Sequence, residues 1–185
     1  MAKTNSNRII LGIDPGTVIM GYGIIEIINN KPYAVVIGDV NMTKFKDHYL
    51  KLKHIFERVT SLIDQYHPDE LAIESPFMKD NPQVTIKLGR AQGAAIAAAL
   101  QREIPIFEYA PRKIKSAITG TGTASKEQVA GMLQKILKLK ELPSRLDATD
   151  GLAAALCHFY QKNAIKTGGA KSWADFVKKN PGRIR

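Results

Sequence analysis

The sequence predicts an α/β domain built on a mixed sheet of five strands, and three observations lead there. An apolar run of branched residues, Ile9 to Ile13, stops at the turn signal Asp14-Pro15-Gly16, and a second apolar run, Gly21 to Ile28, follows it. A third run, Tyr33 to Val40, comes after the turn Lys31-Pro32, so three strands succeed one another as an antiparallel meander. From there on, stretches with helical spacing alternate with two more short apolar runs, Glu70 to Glu74 and Ile104 to Tyr109. That alternation marks strands that join the sheet through helical crossovers.

Each element has its own reason. The first run is apolar at every position, as in a strand buried on both faces. Pro15 pre-sets the turn, and Gly16 tolerates its tight backbone. Between Tyr49 and Tyr66, apolar residues fall at Leu50, Leu52, Ile55, Phe56, Val59, Leu62 and Ile63, the stripe of an amphipathic helix. His67-Pro68-Asp69 ends it. Glu70 to Glu74, arriving after a helix, reads as a strand parallel to the first, and Ser75-Pro76 stops it. Asn81-Pro82 opens a helix that runs to about Glu103. Its middle is rich in small residues, and Gly89 and Gly93 cost helix stability of about 1 kcal/mol each relative to Ala. Either a homodimer interface or tight packing on the sheet would explain them.

The later part is more basic. Pro111 to Ala117 reads as a short helix bearing Arg112, Lys113 and Lys115. The loop Thr119-Gly-Thr-Gly-Thr123 could cradle a phosphate, but it lacks the Gly-Lys-Ser/Thr ending of a nucleotide loop. Ser125 with Gln128 forms a capping box for a helix to about Leu139, whose apolar face is Val129, Met132, Leu133, Ile136 and Leu137. After the break at Leu142-Pro143-Ser144, a last strong helix covers Arg145 to Tyr160. The expected organisation is a flexible extension at 1–7, one domain at 8–163 and a basic tail at 164–185 jointed at Gly168-Gly169.

Composition narrows the function. The 185 residues carry a net charge of +10 and are 44% hydrophobic, enough for one domain with a proper core. No apolar run is long enough to span a bilayer, and Met1 to Asn7 lacks the apolar centre of a secretory signal. Cys157 is the single cysteine, which excludes an internal disulfide and a cysteine-based zinc site. These features point to a cytoplasmic protein. Residues 1–75 carry 8 Lys/Arg against 9 Asp/Glu, whereas residues 76–185 carry 19 against 8. An excess confined to one part suggests an anionic polymer, most often nucleic acid.

Four acids carry the chemistry. Asp14 and Glu74 each end a core strand, and in open α/β sheets that end is where ligands bind. Desolvating a carboxylate there costs several kcal/mol unless it meets a cation or several donors. Asp147 and Asp150, three apart, are neighbours on the first turn of the last helix. Taken singly, Asp14 could be a turn-capping residue, and either helical Asp could simply suit the helix dipole. Together they form an all-oxygen set suited to Mg²⁺ or Mn²⁺, and two such ions could serve phosphodiester cleavage. Basic residues between 112 and 126 could hold the scissile phosphate. His48, His54 and His67 read as surface residues. His158 lies ~12 Å beyond Asp150 along the helix, too far to share a metal with it, and Cys157 reads as core.

With these residues in view, the chain resembles the RuvC family of Holliday junction resolvases from about Arg8 to Tyr160. The resemblance is carried by Gly12-Ile-Asp14-Pro-Gly16 with Gly21-Tyr-Gly23, Ala72-Ile-Glu74-x-x-Phe77-Met, Lys87-Leu-Gly-x-Ala-x-Gly93, Phe107-Glu-Tyr-Ala-Pro-Arg112, Lys115, Lys126 and Asp147-Ala-x-Asp150. The chain departs from the family pattern at Ser75-Pro76. The resemblance implies a ribonuclease H-like fold, with helices on both faces of the sheet. It implies a homodimer that nicks opposing strands of a four-way DNA junction symmetrically, leaving 5′-phosphate and 3′-hydroxyl ends, and an AAA+ branch-migration helicase complex as partner. Asp14, Glu74, Asp147 and Asp150 match the acids that bind Mg²⁺ or Mn²⁺, with two ions expected per site. Lys115 and Lys126 match basic catalytic residues near the cleaved phosphate. Phe77 matches an aromatic that stacks near the crossover. Asn81, Lys87, Arg90, Arg112 and Lys113 complete the expected DNA contacts. The alternatives are another ribonuclease H-like nuclease acting on RNA or hybrids, an actin-like nucleotide-binding protein, which would need a second such domain, and a DNA-binding module without catalysis.

Overall fold

The computed structural model describes residues 7–76 and 81–166. In chain order the elements are β1 (Arg8–Asp14), β2 (Ile19–Ile28), β3 (Lys31–Asn41), α1 (His48–Tyr66), β4 (Glu70–Glu74), α2 (Pro82–Gln101), β5 (Ile106–Tyr109), α3 (Pro111–Thr119), α4 (Lys126–Leu137) and α5 (Asp147–Lys166). The strands form one sheet of order β3-β2-β1-β4-β5. β2 runs antiparallel to β1 and β3, while β4 is parallel to β1 and β5 parallel to β4. The expected mixed five-stranded sheet is present.

Alternation along β1 divides the core in two. Leu11 and Ile13 enter a cluster with Ile55, Val59 and Leu62 of α1 and with Ala91 and Ala95 of α2. Ile10 points the other way, into a cluster with Leu152 and Leu156 of α5, Ile114 of α3 and Leu133 of α4. Helices therefore cover both faces. α1 starts at Asp47, whose carboxylate accepts from the Tyr49 and Leu50 N–H groups, and ends at His67 in the left-handed region. α2 has Asn81 as its cap with Pro82 next, and α4 opens on the expected Ser125–Gln128 capping box.

The feature that positions the site is how closely α5 lies on β1 and β2. A Cβ on Gly12 would sit 2.0 Å from the Gly151 carbonyl oxygen, and one on Gly21 would sit 2.0 Å from that of Asp147. Only glycine permits such an approach of backbone to backbone. The first turn of α5 is thereby laid over the end of β1.

Several boundaries differ from expectation. α5 begins at Asp147, because Arg145 and Leu146 form a preceding turn whose carbonyls accept from Ala148 and Thr149. It continues to Lys166, since no Gly or Pro interrupts it before Gly168. β5 is shorter, starting at Ile106, because Glu103 adopts a left-handed conformation and the Ile104 N–H bonds back to the Ala99 carbonyl. Around Gly89 and Gly93 an added Cβ would meet nothing within 4 Å among the described residues, so tight packing on the sheet does not explain them. His67 is exposed as expected, but His48 and His54 are half-buried, and the His54 ring lies 5.1 Å from that of Phe45. The expected extension (except Asn7), Phe77 and the tail beyond Lys166 lie outside the described residues. No described helix is long and apolar enough to cross a membrane.

Candidate active site

The parallel register pairs Ile13 with Ile73, so Asp14 and Glu74, each one residue further on, end adjacent strands at the same edge. α5 crosses that edge and delivers its first turn. Asp14, Glu74 and Asp150 line one cleft of about 240 Å³ together with Lys115 of α3 and Lys126 of α4, over a floor that includes Ile114, Val129 and Ala153. Asp147 joins through Lys126, whose ammonium lies 2.8 Å from Asp147 Oδ1 and 2.6 Å from Asp150 Oδ2. All four predicted acids and both predicted lysines thus come together from five separate elements. A second cleft of about 220 Å³ opens on the other side of Asp14 and Glu74, bounded by Gly16, Ser75, Pro76 and Leu88.

The electrostatics reflect this crowding. Burial, then the charges of Asp14 and Asp150, lift the Glu74 carboxyl to about 8. Burial also raises Asp150, with Lys126 opposing it. Burial disfavours the Lys126 ammonium, but its hydrogen bonds to Asp147 and Asp150 outweigh that and hold it above the usual lysine range. Among the described residues, no three carboxylate, imidazole or thiol groups close into a ready-made cage. The donor set nonetheless fits a hard divalent cation. Its ligands are all oxygen, Glu74 feels two other carboxylates, and Asp147 with Asp150 already holds one positive charge between them.

The other predicted residues are spread around this cleft. Arg112 and Lys113 are exposed on α3, and Lys87 and Arg90 are exposed on α2. Asn81 uses its side chain to cap α2, accepting from the Gln83 N–H at 2.9 Å. The Thr119–Thr123 loop has engaged backbone N–H groups, Gly120 donating to the Ser116 carbonyl, Thr121 to Thr119 Oγ1 and Thr123 to Thr121 Oγ1, which leaves little to cradle a phosphate. Two features escaped the sequence. Arg145 bonds Asp39 at 3.3 Å, tying the turn before α5 to β3. His158, Tyr109 and Glu70 form a buried polar chain under α5. Its one legible signal is Glu70, a carboxylate opening a strand whose middle is apolar.

A sheet of this order, with carboxylates ending β1 and β4 and two more on the helix across them, defines a ribonuclease H-like protein with an acidic cleft at one end of the sheet. The family described as crossover junction endodeoxyribonuclease RuvC matches residues 10–158, and the chain belongs to that family. Its relatives of that name include the protein of Christiangramia forsetii, 59% identical over 97% of this chain and 94% of its own length. That of Porphyromonas gingivalis is 54% identical over 96% and 97%. Among solved structures, T. thermophilus RuvC in complex with a Holliday junction substrate superposes with a TM-score of 0.77 at 31% identity, covering 85% of this chain and 96% of that one. The yeast mitochondrial Holliday junction resolvase shares the fold, with a TM-score of 0.66 at 15% identity over 92% and 83%.

Proposed function

We infer that the chain is a structure-specific endonuclease that resolves four-way DNA junctions in recombination and repair. The observation that carries this reading is the convergence of Asp14, Glu74, Asp147 and Asp150 with Lys115 and Lys126 at one sheet edge, in a chain whose relatives bear the junction endonuclease name. Asp14, Glu74, Asp147 and Asp150 would hold Mg²⁺ or Mn²⁺, two per site. Such ions, when bound, activate a water and stabilise the leaving oxygen of a phosphodiester. Lys115 projects into the cleft and neutralises the scissile phosphate. Lys126 fixes the first turn of α5 through its two aspartates and offers the phosphate a second positive charge.

Around the cleft, exposed Arg112 and Lys113 hold the backbone of the cleaved strand, and Lys87, Arg90 and Asn81 contact it from α2. Phe77 stacks near the crossover. Residues 8–163 form the nuclease domain. Two copies pair through the small-residue stretch of α2, where Gly89 and Gly93 leave open space within one chain. Each copy nicks one of two opposing strands, leaving 5′-phosphate and 3′-hydroxyl ends. The protein acts in the cytoplasm, with an AAA+ branch-migration helicase complex as partner.

A synthetic four-way junction, a linear duplex and an RNA–DNA hybrid of the same sequence test this with Mg²⁺ or with EDTA. Paired nicks in opposing strands, on the junction only and with Mg²⁺ only, are expected. Cutting confined to the hybrid would transfer the protein to the RNA-directed nucleases.

A further inference from the structure

The α5 stripe that carries Asp150 at the cleft carries His158 a little over two turns later. His158 is fully buried, and both ring nitrogens are engaged. Nδ1 lies 2.6 Å from the Tyr109 hydroxyl and Nε2 lies 2.8 Å from Glu70 Oε2. Glu70 is an acceptor that also takes the Lys162 ammonium, so Nε2 carries the ring hydrogen and Nδ1 accepts from the Tyr109 O–H. One neutral tautomer satisfies every partner.

What the imidazole joins gives this its significance. Tyr109 is the register partner of Glu74 across β4 and β5. Glu70 starts the strand that Glu74 ends, four residues earlier on the same face. His158 therefore ties α5 both to the residue beside Glu74 and to the origin of the Glu74 strand. Between these ties and the cleft, α5 meets β1 and β2 through Gly151, Leu152 and Ala155. Those contacts seat α5 on β1 and β2, whereas two short hydrogen bonds at fixed angles tie it to Glu70 of β4 and Tyr109 of β5 and do not tolerate a shift of the helix along those strands.

We propose that His158 is a positioning residue of the active site: through Tyr109 and Glu70 it fixes the register of α5 along β4, and with it the separation of Asp150 from Glu74. This rests on the reading of those two acids as metal-binding. The test uses the full chain with Tyr109→Phe, which removes only the hydroxyl, alongside His158→Leu and His158→Gln, the last keeping an N–H for Glu70. Mn²⁺ affinity by calorimetry, junction affinity in EDTA, melting temperature and single-turnover cleavage at saturating Mg²⁺ are measured for each. With Tyr109→Phe, Mn²⁺ affinity and cleavage rate are each expected to fall about tenfold, with junction affinity within about twofold of the parent. His158→Gln is expected to recover part of what His158→Leu loses. A lowered melting temperature with Mn²⁺ affinity and rate unchanged in Tyr109→Phe would reduce the chain to a stability element and overturn the proposal, even if His158→Leu fails to fold. Asp150→Asn separates the two levels. If it keeps parental Mn²⁺ affinity, the reading of the acids falls and the proposal with it. If it loses Mn²⁺ while Tyr109→Phe does not, the positioning role alone is wrong.

Discussion

Asp14 and Glu74 are the acids that two buried strands deliver to one end of the sheet. Each ends an apolar strand beside the other, and Glu74 keeps its proton to about 8 because burial and two neighbouring carboxylates penalise its charge. Replacing Asp14 by Asn removes a charge but little volume. Junction cleavage is then expected to fall by about a thousandfold or more, with junction binding in EDTA unchanged. Full cleavage by Asp14→Asn would remove this residue from the site. These acids were legible because the turn signals Asp14-Pro15-Gly16 and Ser75-Pro76 fix where their strands stop. His158 was not, since its partners lie 49 and 88 residues away and only the packed sheet unites them. It yields a prediction of its own. Burial, then the charge of Arg8, lowers the His158 imidazole from its usual 6.5 to about 4. Below about 6.5 the unfolded chain takes up a proton that the folded protein refuses, so stability falls as pH drops from about 6.5 to 4. The contribution is of order 3 kcal/mol at most. Urea midpoints across that range are expected to slope more gently for His158→Phe than for the parent.

At the scale of elements, the decisive feature is α5 resting on bare backbone. Gly12 has the Gly151 carbonyl oxygen, the Ala155 nitrogen and the Ala155 Cβ all within 2.8 Å of where its own Cβ would be. A rigid helix cannot yield at one residue, so Gly12→Ala must lift α5 or bend β1. Destabilisation of about 3 kcal/mol is expected, and cleavage should fall further than stability explains, because Asp150 moves with the helix. Chemical denaturation beside single-turnover cleavage at a temperature where the variant is folded would decide it, and parental values in both would show that the fit is looser than the geometry implies. Most elements could be read from periodicity and punctuation, as with the Asn81-Pro82 start and the Ser125–Gln128 box. What could not be read was relative height. The sequence displays Gly12 and Gly21, but only the crossing of α5 shows that they are there for close approach, whereas at Gly89 and Gly93, which look alike in sequence, an added Cβ would have open space among the described residues.

For the whole molecule, the meander and the fourth strand parallel to the first were legible in the order of signals, and the sheet builds outward from β1 in both directions, with β5 beside β4. The charge distribution was equally plain, and it reaches beyond the cleft. Residues 167–185 contribute five Lys/Arg against one Asp, while residues 76–166 carry 14 against 7. If both groups meet phosphate, junction affinity falls steeply with salt, and removing one basic group from a phosphate reduces the log–log slope by about 0.9. A chain ending at Lys166 is therefore expected to bind the junction less tightly than the parent, with a larger deficit at about 50 mM salt than at about 200 mM and a slope smaller by up to about 4 units. Its single-turnover rate on bound junction should stay at the parental value, because every acid and lysine of the cleft remains. Filter binding across a salt series, with cleavage measured at saturating protein, separates the two effects. An unchanged slope would place all of the phosphate binding on residues 76–166. A reduced rate at full occupancy would instead mean that the basic tail takes part in presenting the strand to Asp14 and Glu74.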